Sequence, residues 1–439
     1  MANKHRANNW IDGLRGIAAI VVVTYHLCSC FASWLNSPAI DEHGAVSLFQ
    51  YPFLRLFMGG RTAVALFFLI TGYVNSYSTR KRVRQGDAGL ALHCLSKTTF
   101  SRTAKLVLPT NAALIIGWMV CQLNGYHMAA QTDSFWIRVG AVAPGPTFGA
   151  ALKGLLLNLT VFWHDGVGIY DHTYWTIPFF VKGSMIVYLT LLGTAYTQPR
   201  WTKPILVFLY IFAWAGGQAL TDLNIYAGML LAELSVDYGP RATSALSRIT
   251  SFSMILFGLL LASFPEDHAD WTPWSNAINT VAIYLVPAGA EVNRYVISVG
   301  TTFISFGVFF SPDAREILSH PIMNFLGRIS FPIYLIHNTL IRTLLTWLVY
   351  RDSAIKEGLY PVDAEGNPKY LDKGGLGAFM VAVPIFYATL LYMSYLWTVY
   401  IDPPCGRLVD WLSETAFGES EGVGGVVLKK EGLPGALVS

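Results

Sequence analysis

The chain has 439 residues, of which 53% are hydrophobic and only 13% are charged, and its formal net charge at pH 7 is +3. A soluble protein carries about twice that charged fraction, so the composition argues against a set of soluble domains. The small net charge gives no reason to expect a nucleic-acid partner. The five cysteines are scattered and predict neither a zinc site nor a disulfide framework.

The apolar residues fall into blocks about as long as the roughly 20 residues that cross a bilayer as a helix. This pattern predicts an all-α, polytopic integral membrane bundle with about ten to twelve transmembrane helices. Asp12 and Arg15 interrupt the first block, so we expect a retained helix there and no cleaved signal peptide. Spans are expected near 16–35, 61–77, 106–123, 148–163, 178–197, 204–221, 224–234, 250–264, 276–290, 294–310, 330–350 and 376–400, of which 224–234 and 276–290 are short or polar.

Basic residues set the expected topology. Lys4 and Arg6 precede the first span, and the segment 80–105 between the second and third spans is rich in Lys and Arg. Positive charge favours the cytosolic side, so we expect a cytosolic N-terminus and residues 36–59 on the opposite side. The expected organisation is a cytosolic segment 1–9, a membrane domain 10–412 and a disordered tail 413–439.

The first span contains two ionisable residues, Arg15 and His26. Each costs about 2.5–3.5 kcal/mol at a helix centre, so their presence calls for a reason. Their spacing is three turns plus about 20°, which places both on one helix face about 16 Å apart. A neutral His26 could act as a general base towards an alcohol. Alternatively, it could hydrogen-bond a neighbouring helix, or relay protons in a transporter.

The basic segment 80–105 also has two interpretations. It could be an ordinary positive-inside segment. It could instead bind the phosphates of coenzyme A, because Arg and Lys form charge-assisted contacts with phosphate oxygens. For that second role the candidates are Arg82, Arg102 and Lys105.

A polar gap before residue 174 contains His164, Asp165, Asp171 and His172. These residue types can bind metals, but their spacing does not match a helical ligand pair. We therefore expect a solvated loop and no metal.

Several ordered motifs resemble the acyltransferase 3 family of membrane acyltransferases. The first is DGLRGIAA at residues 12–19, which is followed by Tyr25 and His26. The resemblance covers residues 10 to 412 and extends to a mid-chain motif of the fungal branch. The further motifs are AVALFFLITGY at 63–73, SRTAKLVLP at 101–109, YWTIP at 174–178 with KGSM at 182–185, and GRISF at 327–331 with YLIH at 334–337.

This resemblance implies transfer of an acyl group, usually acetyl, from coenzyme A to a hydroxyl. It further implies that His26 is the general base, that Arg15 contacts the acyl donor or the acceptor in the site, and that Arg102 and Lys105 lie near the coenzyme. By analogy with the fungal branch, we expect acetyl-CoA as co-substrate, a small lipophilic acceptor such as a terpenoid or polyketide alcohol of secondary metabolism, and an endoplasmic reticulum location. The alternatives are a glycan or cell-wall O-acetyltransferase, a transporter, or a non-catalytic relative.

The sequence departs from the family pattern at two positions. The family usually has a Glu after its Trp-Thr-Ile-Pro motif, where this chain has Phe180. Lys105 stands where the family often has Arg, which replaces a bidentate donor by a point charge. The Glu could be dispensable, Asp165 or Asp171 could replace it, or the protein could be weakened or inactive. His337, on a late helix, is expected to pack or hydrogen-bond rather than to catalyse.

Overall fold

The computed structural model describes residues 9–166, 168–363 and 366–418, and these ranges form helices without a β-strand. The predicted class, a helical membrane bundle, is therefore confirmed. The α-helices are α1 Asn9–Phe31, α2 Gly60–Arg84, α3 Ala88–Gln122, α4 Phe135–Val139, α5 Phe148–Asp165, α6 Thr176–Gly193, α7 Pro199–Ala215, α8 Asn224–Tyr238, α9 Ala242–Ala245, α10 Arg248–Ala262, α11 Pro273–Leu285, α12 Val292–Phe310, α13 Pro312–Leu318, α14 Pro321–Arg328, α15 Ser330–Leu340, α16 Thr346–Glu357, α17 Leu376–Tyr400 and α18 Asp402–Phe417.

By length and apolar composition, four helical segments in the described ranges could cross a membrane, and six could if two bent pairs each count as one span. Fewer segments pass this test than the apolar blocks predicted. Several helices, such as α8 and α10, have only 15 residues each and are shorter than a full crossing. The four segments are Asn9–Phe31, Ala88–Gln122, His172–Thr194 and Leu376–Phe417.

Two boundaries differ from the sequence expectation. The basic segment 80–105 is almost entirely helical, because α2 continues to Arg84 and α3 starts at Ala88. At the other end of the chain, α18 ends at Phe417, beyond the expected limit of the membrane domain at residue 412. The tail beyond residue 418 and residues 1–8 lie outside the described ranges.

The chain divides into two compact units. The first comprises residues 1–28, 32–100 and 179–330, and the second comprises residues 29–31, 101–178 and 331–439. All predicted site residues except Arg102 and Lys105 belong to the first unit.

Small residues bring the helices of the first unit into close contact. A Cβ added at Gly72 of α2 would lie 2.1 Å from the carbonyl oxygen of Ile225, and one at Gly228 of α8 would lie 2.0 Å from that of Leu69. Such contacts let two backbones approach closely, which is how helices commonly associate in a bilayer. The crossing of α2 and α8 therefore depends on glycine at both positions.

The second unit contains the C-terminal part of α3, together with α4, α5 and α15–α18. A π-helical segment, Ile341–Leu345, connects α15 to α16. Extra residues of this kind are often found at functional positions, because they change the direction in which side chains point. Arg342 lies within this segment.

Candidate functional site

Arg15 is buried and anchors α1 to the end of α14. Its Nε and Nη2 atoms donate to the carbonyl oxygen of Gly327 at 3.0 and 2.5 Å. Its Nη2 atom also lies 3.2 Å from the carboxylate of Asp12, one turn earlier on α1. Because the last carbonyl groups of a helix lack partners within the helix, a guanidinium placed there stabilises that end. These contacts give Arg15 a structural task in addition to the role predicted from the sequence.

The glycines of the DGLRG motif explain why α1 and α14 can approach so closely. A Cβ at Gly13 would lie 2.0 Å from the carbonyl oxygen of Leu318, and one at Gly16 would lie 2.7 Å from the amide nitrogen of Gly327. A Cβ at Gly327 would in turn lie 2.1 Å from the carbonyl oxygen of Asp12. The motif at residues 12–19 and the motif that begins at residue 327 therefore contact each other.

His26 lies eleven residues after Arg15 on the same continuous helix, as the spacing predicted, and its side chain is half-buried. The ring of Tyr25 packs edge-on against the imidazole, with 5.3 Å between the ring centroids. The hydroxyl of Tyr25 donates to the Oε2 atom of Glu266 at 3.4 Å. Thus the predicted base lies beside a residue that contacts a partly buried carboxylate.

Glu266 belongs to the link between α10 and α11 and is paired with Arg61 at the start of α2. The Nε atom of Arg61 lies 3.1 Å from Glu266 Oε2, and its Nη1 donates to Asn293 at 2.7 Å. Burial raises the pKa of the Glu266 carboxyl, while the neighbouring Arg61 partly opposes that rise. Sequence reasoning missed this group, because a Glu in a short polar link between two spans carries no distinguishing pattern.

Two arginines of the basic segment are committed to ion pairs. Arg80 is buried against the Oε1 atom of Glu233 on α8 and donates to Thr202 at 2.8 Å. Arg84 lies 3.1 Å from Glu233 Oε2 and 2.8 Å from Asp237. These two arginines thus hold α2 to α8. Their positive charges are already paired, so fewer basic residues of the segment are available to bind a phosphate.

The three residues predicted to contact coenzyme A are all helical and half-buried. Arg82 lies in the last turn of α2, in the first unit. Arg102 and Lys105 are one turn apart on α3, as predicted, in the second unit. Their role towards the coenzyme stays a prediction.

Phe180, at the position where the family usually has Glu, lies in an aromatic environment. Its ring centroid is 4.6 Å from that of Phe68 and 6.3 Å from that of Phe67. The hydroxyl of Ser184 donates to the carbonyl oxygen of Phe180 at 2.8 Å and accepts from Asn75 at 3.1 Å. A carboxylate here would be surrounded by apolar rings, so the local packing has adapted to phenylalanine.

The second unit contains a buried polar cluster around Asp171, so the expectation of a solvated loop at this residue is wrong. Asp171 Oδ1 accepts from Asn338 at 2.6 Å and from the backbone amide of Thr173 at 2.9 Å, and its Oδ2 lies 3.7 Å from Arg342. Arg342 also donates to the carbonyl oxygen of Tyr170 at 2.5 Å. Asp171, proposed above as a substitute for the missing Glu, is therefore part of this cluster. The side chain of Asp165 lies outside the described part of the structure.

His337 borders this cluster and is fully buried. Its Nδ1 atom is 2.8 Å from the carbonyl oxygen of Tyr334 on the same helix. This contact agrees with the packing and hydrogen-bonding role expected for it. The sequence did carry a signal for the cluster, because Arg342 is an ionisable residue inside a predicted span.

Comparison with known proteins identifies the family. The family model described as an acyltransferase domain, acyltransferase 3, matches residues 8–401. The chain is 23% identical to the O-acetyltransferase PaAT-1 of Phomopsis amygdali, over 92% of this chain and 84% of that protein. It is 22% identical to the acyltransferase clz18 of Cochliobolus lunatus, over 93% of this chain and 96% of that one.

A third relative, the acyltransferase R4 of a Phoma species, is 23% identical over 92% of this chain and 95% of its own length. No solved structure matches the chain. The family match spans nearly the whole described chain and includes the α1 helix that carries Arg15 and His26. The chain therefore belongs to the acyltransferase 3 family and is an O-acyltransferase.

Proposed function

We propose that this protein transfers an acyl group, acetyl in the first instance, from acyl-CoA to a hydroxyl of a small lipophilic acceptor. The observation that carries the proposal is that His26 is half-buried on α1, the same helix on which Arg15 binds the Gly327 carbonyl oxygen. A relative over most of the chain is named an O-acetyltransferase, which supports acetyl as the group transferred.

In the proposed reaction, His26 accepts the proton of the acceptor hydroxyl while the hydroxyl oxygen attacks the thioester carbonyl carbon. The new C–O bond forms, the C–S bond breaks, and the coenzyme leaves as a thiolate that takes up a proton. No covalent enzyme intermediate is required. A half-buried imidazole suits this task, because a neutral ring nitrogen can accept the proton of a hydroxyl within hydrogen-bonding distance.

We assign Arg15 a positioning role, because its guanidinium is occupied by the Gly327 carbonyl and by Asp12. By fixing α1 against α14, it would set the depth and direction of His26 three turns later. Arg82, Arg102 and Lys105 remain the proposed contacts of the coenzyme phosphates, since charge-assisted bonds to phosphate are their natural chemistry.

The protein is a multi-pass membrane protein. Within that setting we propose a cytosolic N-terminus, an endoplasmic reticulum location and a role in secondary metabolism. The basic segment 80–105 supports the orientation through the positive-inside tendency. An epitope tag placed after residue 439, and another in the 36–59 segment, would report the two sides by protease protection.

The central experiment measures release of free coenzyme A from acetyl-CoA by membranes that contain the wild type or His26→Ala. We expect turnover that depends on an added alcohol and falls at least about 100-fold in His26→Ala, the lower range for loss of a general base. His93→Ala is the matched control, because His93 is exposed on α3.

Equal rates for the wild type and His26→Ala would contradict the role of His26. Folded protein without turnover on any of a broad set of alcohols would favour a non-catalytic relative or a transporter. Phe180→Glu would then test whether restoring the family's carboxylate restores activity.

A further inference from the structure

The first unit contains a partly open pocket at the end of α1 opposite to the N-terminus. Its cavity volume is about 20 Å3, and it is bordered by the 33–60 segment, the start of α2 and the link after α10. A cavity of this size holds about one water-sized group, such as a single hydroxyl at the end of a larger molecule.

The walls of this pocket divide into a charged part and an apolar part. Arg55, Arg61 and Glu266 provide the charged part. Met58, Phe264 and Ile297 are among the residues that provide the apolar part. A hydroxyl bound here would face the charged groups, and the carbon that carries it would lie beside apolar side chains.

Arg55 is the unusual member of the pocket, because it is only 7% exposed. Its Nη2 atom donates to the carbonyl oxygen of Asn36 at 2.7 Å, but its Nη1 atom has no hydrogen-bond partner among the described residues. A buried donor without a partner costs roughly 1–3 kcal/mol or more for a charged group, so such a group calls for an explanation. Burial lowers the pKa of the guanidinium to about 10, although Glu266 opposes that change.

Glu266 gives the pocket the complementary acceptor. Its carboxylate faces Arg61 and the Tyr25 hydroxyl, and Tyr25 is the neighbour of His26 in both sequence and space. A hydroxyl group can accept from Arg55 and donate to Glu266 at the same time, whereas an ether or carbonyl oxygen can only accept. A hydroxyl would therefore match both groups, whereas an ether or carbonyl oxygen would match only Arg55.

We propose that this pocket binds a second hydroxyl of the acceptor, distinct from the one that His26 deprotonates, so that the acceptor is a lipophilic diol. This proposal rests on the proposed function above. Holding one hydroxyl at Arg55 and Glu266 fixes the position of the reacting hydroxyl. The bound acceptor then has less orientational freedom to lose on reaching the transition state, and the rate rises.

The test uses 1,12-dodecanediol as the probe and a cysteine in the pocket as the reporter. Met58→Cys places a thiol on the apolar wall, and its modification by methyl methanethiosulfonate is measured in membranes with the labelling of the parent chain as baseline. We expect the diol to slow the modification, and 1,12-dimethoxydodecane, which cannot donate a hydrogen bond, to protect far less.

Arg55→Met in the same background should raise the half-protecting concentration about tenfold, as expected for one hydrogen bond to a charged group. Arg248→Met is the matched control, because Arg248 is an exposed arginine outside the pocket lining. Thr62→Cys, a nearly isosteric change in the pocket wall, serves as a second reporter if Met58→Cys does not fold. Size-exclusion chromatography in detergent checks the folding of each variant.

Release of coenzyme A with the same diol separates this inference from the proposed function. Protection together with release supports both, and protection without release keeps the pocket assignment while overturning the acyltransfer reaction with this class of acceptor. Release without protection overturns the pocket assignment alone. Absence of both overturns both.

Discussion

The buried ion pair between Arg80 and Glu233 should be a major determinant of stability in the first unit. Arg80 is 5% exposed and Glu233 is 1% exposed. Arg84 also donates to Glu233, and Arg80 also donates to Thr202 and to the carbonyl oxygen of Thr194. Removal of one member leaves a buried charge without compensation, whereas replacement of both members by apolar residues removes that penalty.

We expect Glu233→Ala to lower the free energy of unfolding by about 3–5 kcal/mol. At about 2 °C per kcal/mol, the value for the larger single domains, the melting temperature should fall by about 6–10 °C. The double variant Arg80→Met with Glu233→Leu should recover most of this loss. The assay is thermal unfolding of detergent-solubilised protein followed by size-exclusion chromatography of the soluble fraction.

Lys203→Ala provides the control for this experiment. Lys203 pairs with Asp237 at 2.7 Å, but its side chain is 41% exposed. Exposed pairs contribute at most about 1 kcal/mol, so the melting temperature should change little. A loss of less than about 2 °C in Glu233→Ala, or a double variant that is at least as unstable as Glu233→Ala, would refute the argument that the cost comes from an uncompensated buried charge.

Two further changes probe the α1 contact and the pocket. Gly13→Ala should destabilise the protein, because its Cβ would lie 2.0 Å from the Leu318 carbonyl oxygen. The control is Gly89→Ala on the open surface of α3, which should be neutral or stabilising. Equal melting temperatures for the two variants would disprove the close contact. Burial raises the pKa of Glu266, so its ionisation removes stability as pH rises from its unfolded pKa through its folded pKa. The melting temperature of Glu266→Gln should therefore rise relative to that of the wild type as the pH increases from about 4, the ordinary pKa of Glu, and a constant difference would contradict the raised pKa.

The sequence could identify α1 because its signals are local. The Arg15–His26 spacing depends only on helix geometry, and the structure has one continuous helix from Asn9 to Phe31. Ionisable groups are costly in a bilayer, and this cost also identified Arg15 and His26 as candidate functional residues. Applied to Arg342 and Glu233, the same rule would have located the buried cluster of the second unit and the ion pairs of the first.

Contacts between residues far apart in the sequence could not be predicted in this way. Nothing local in Arg15 indicates that its partner is the carbonyl oxygen of Gly327, and nothing in the basic segment distinguishes Arg80, which is buried in an ion pair, from Arg82. The sequence predicts a connection between spans from residue 80 to residue 105, but residues 80–84 and 88–105 are helical, because α2 and α3 continue beyond their apolar parts.

The sequence by itself determined the helical membrane class, the family and the helix that carries the proposed base, because composition, apolar block length and ordered motifs are properties of the chain alone. The tertiary structure decided which charged groups are already paired and which surround a pocket. Glu266, Arg55 and Tyr25 come from separate segments, and only the packing of those segments gives Arg55 its burial and Glu266 its partners. Long-range packing and desolvation therefore decide the chemistry of these groups.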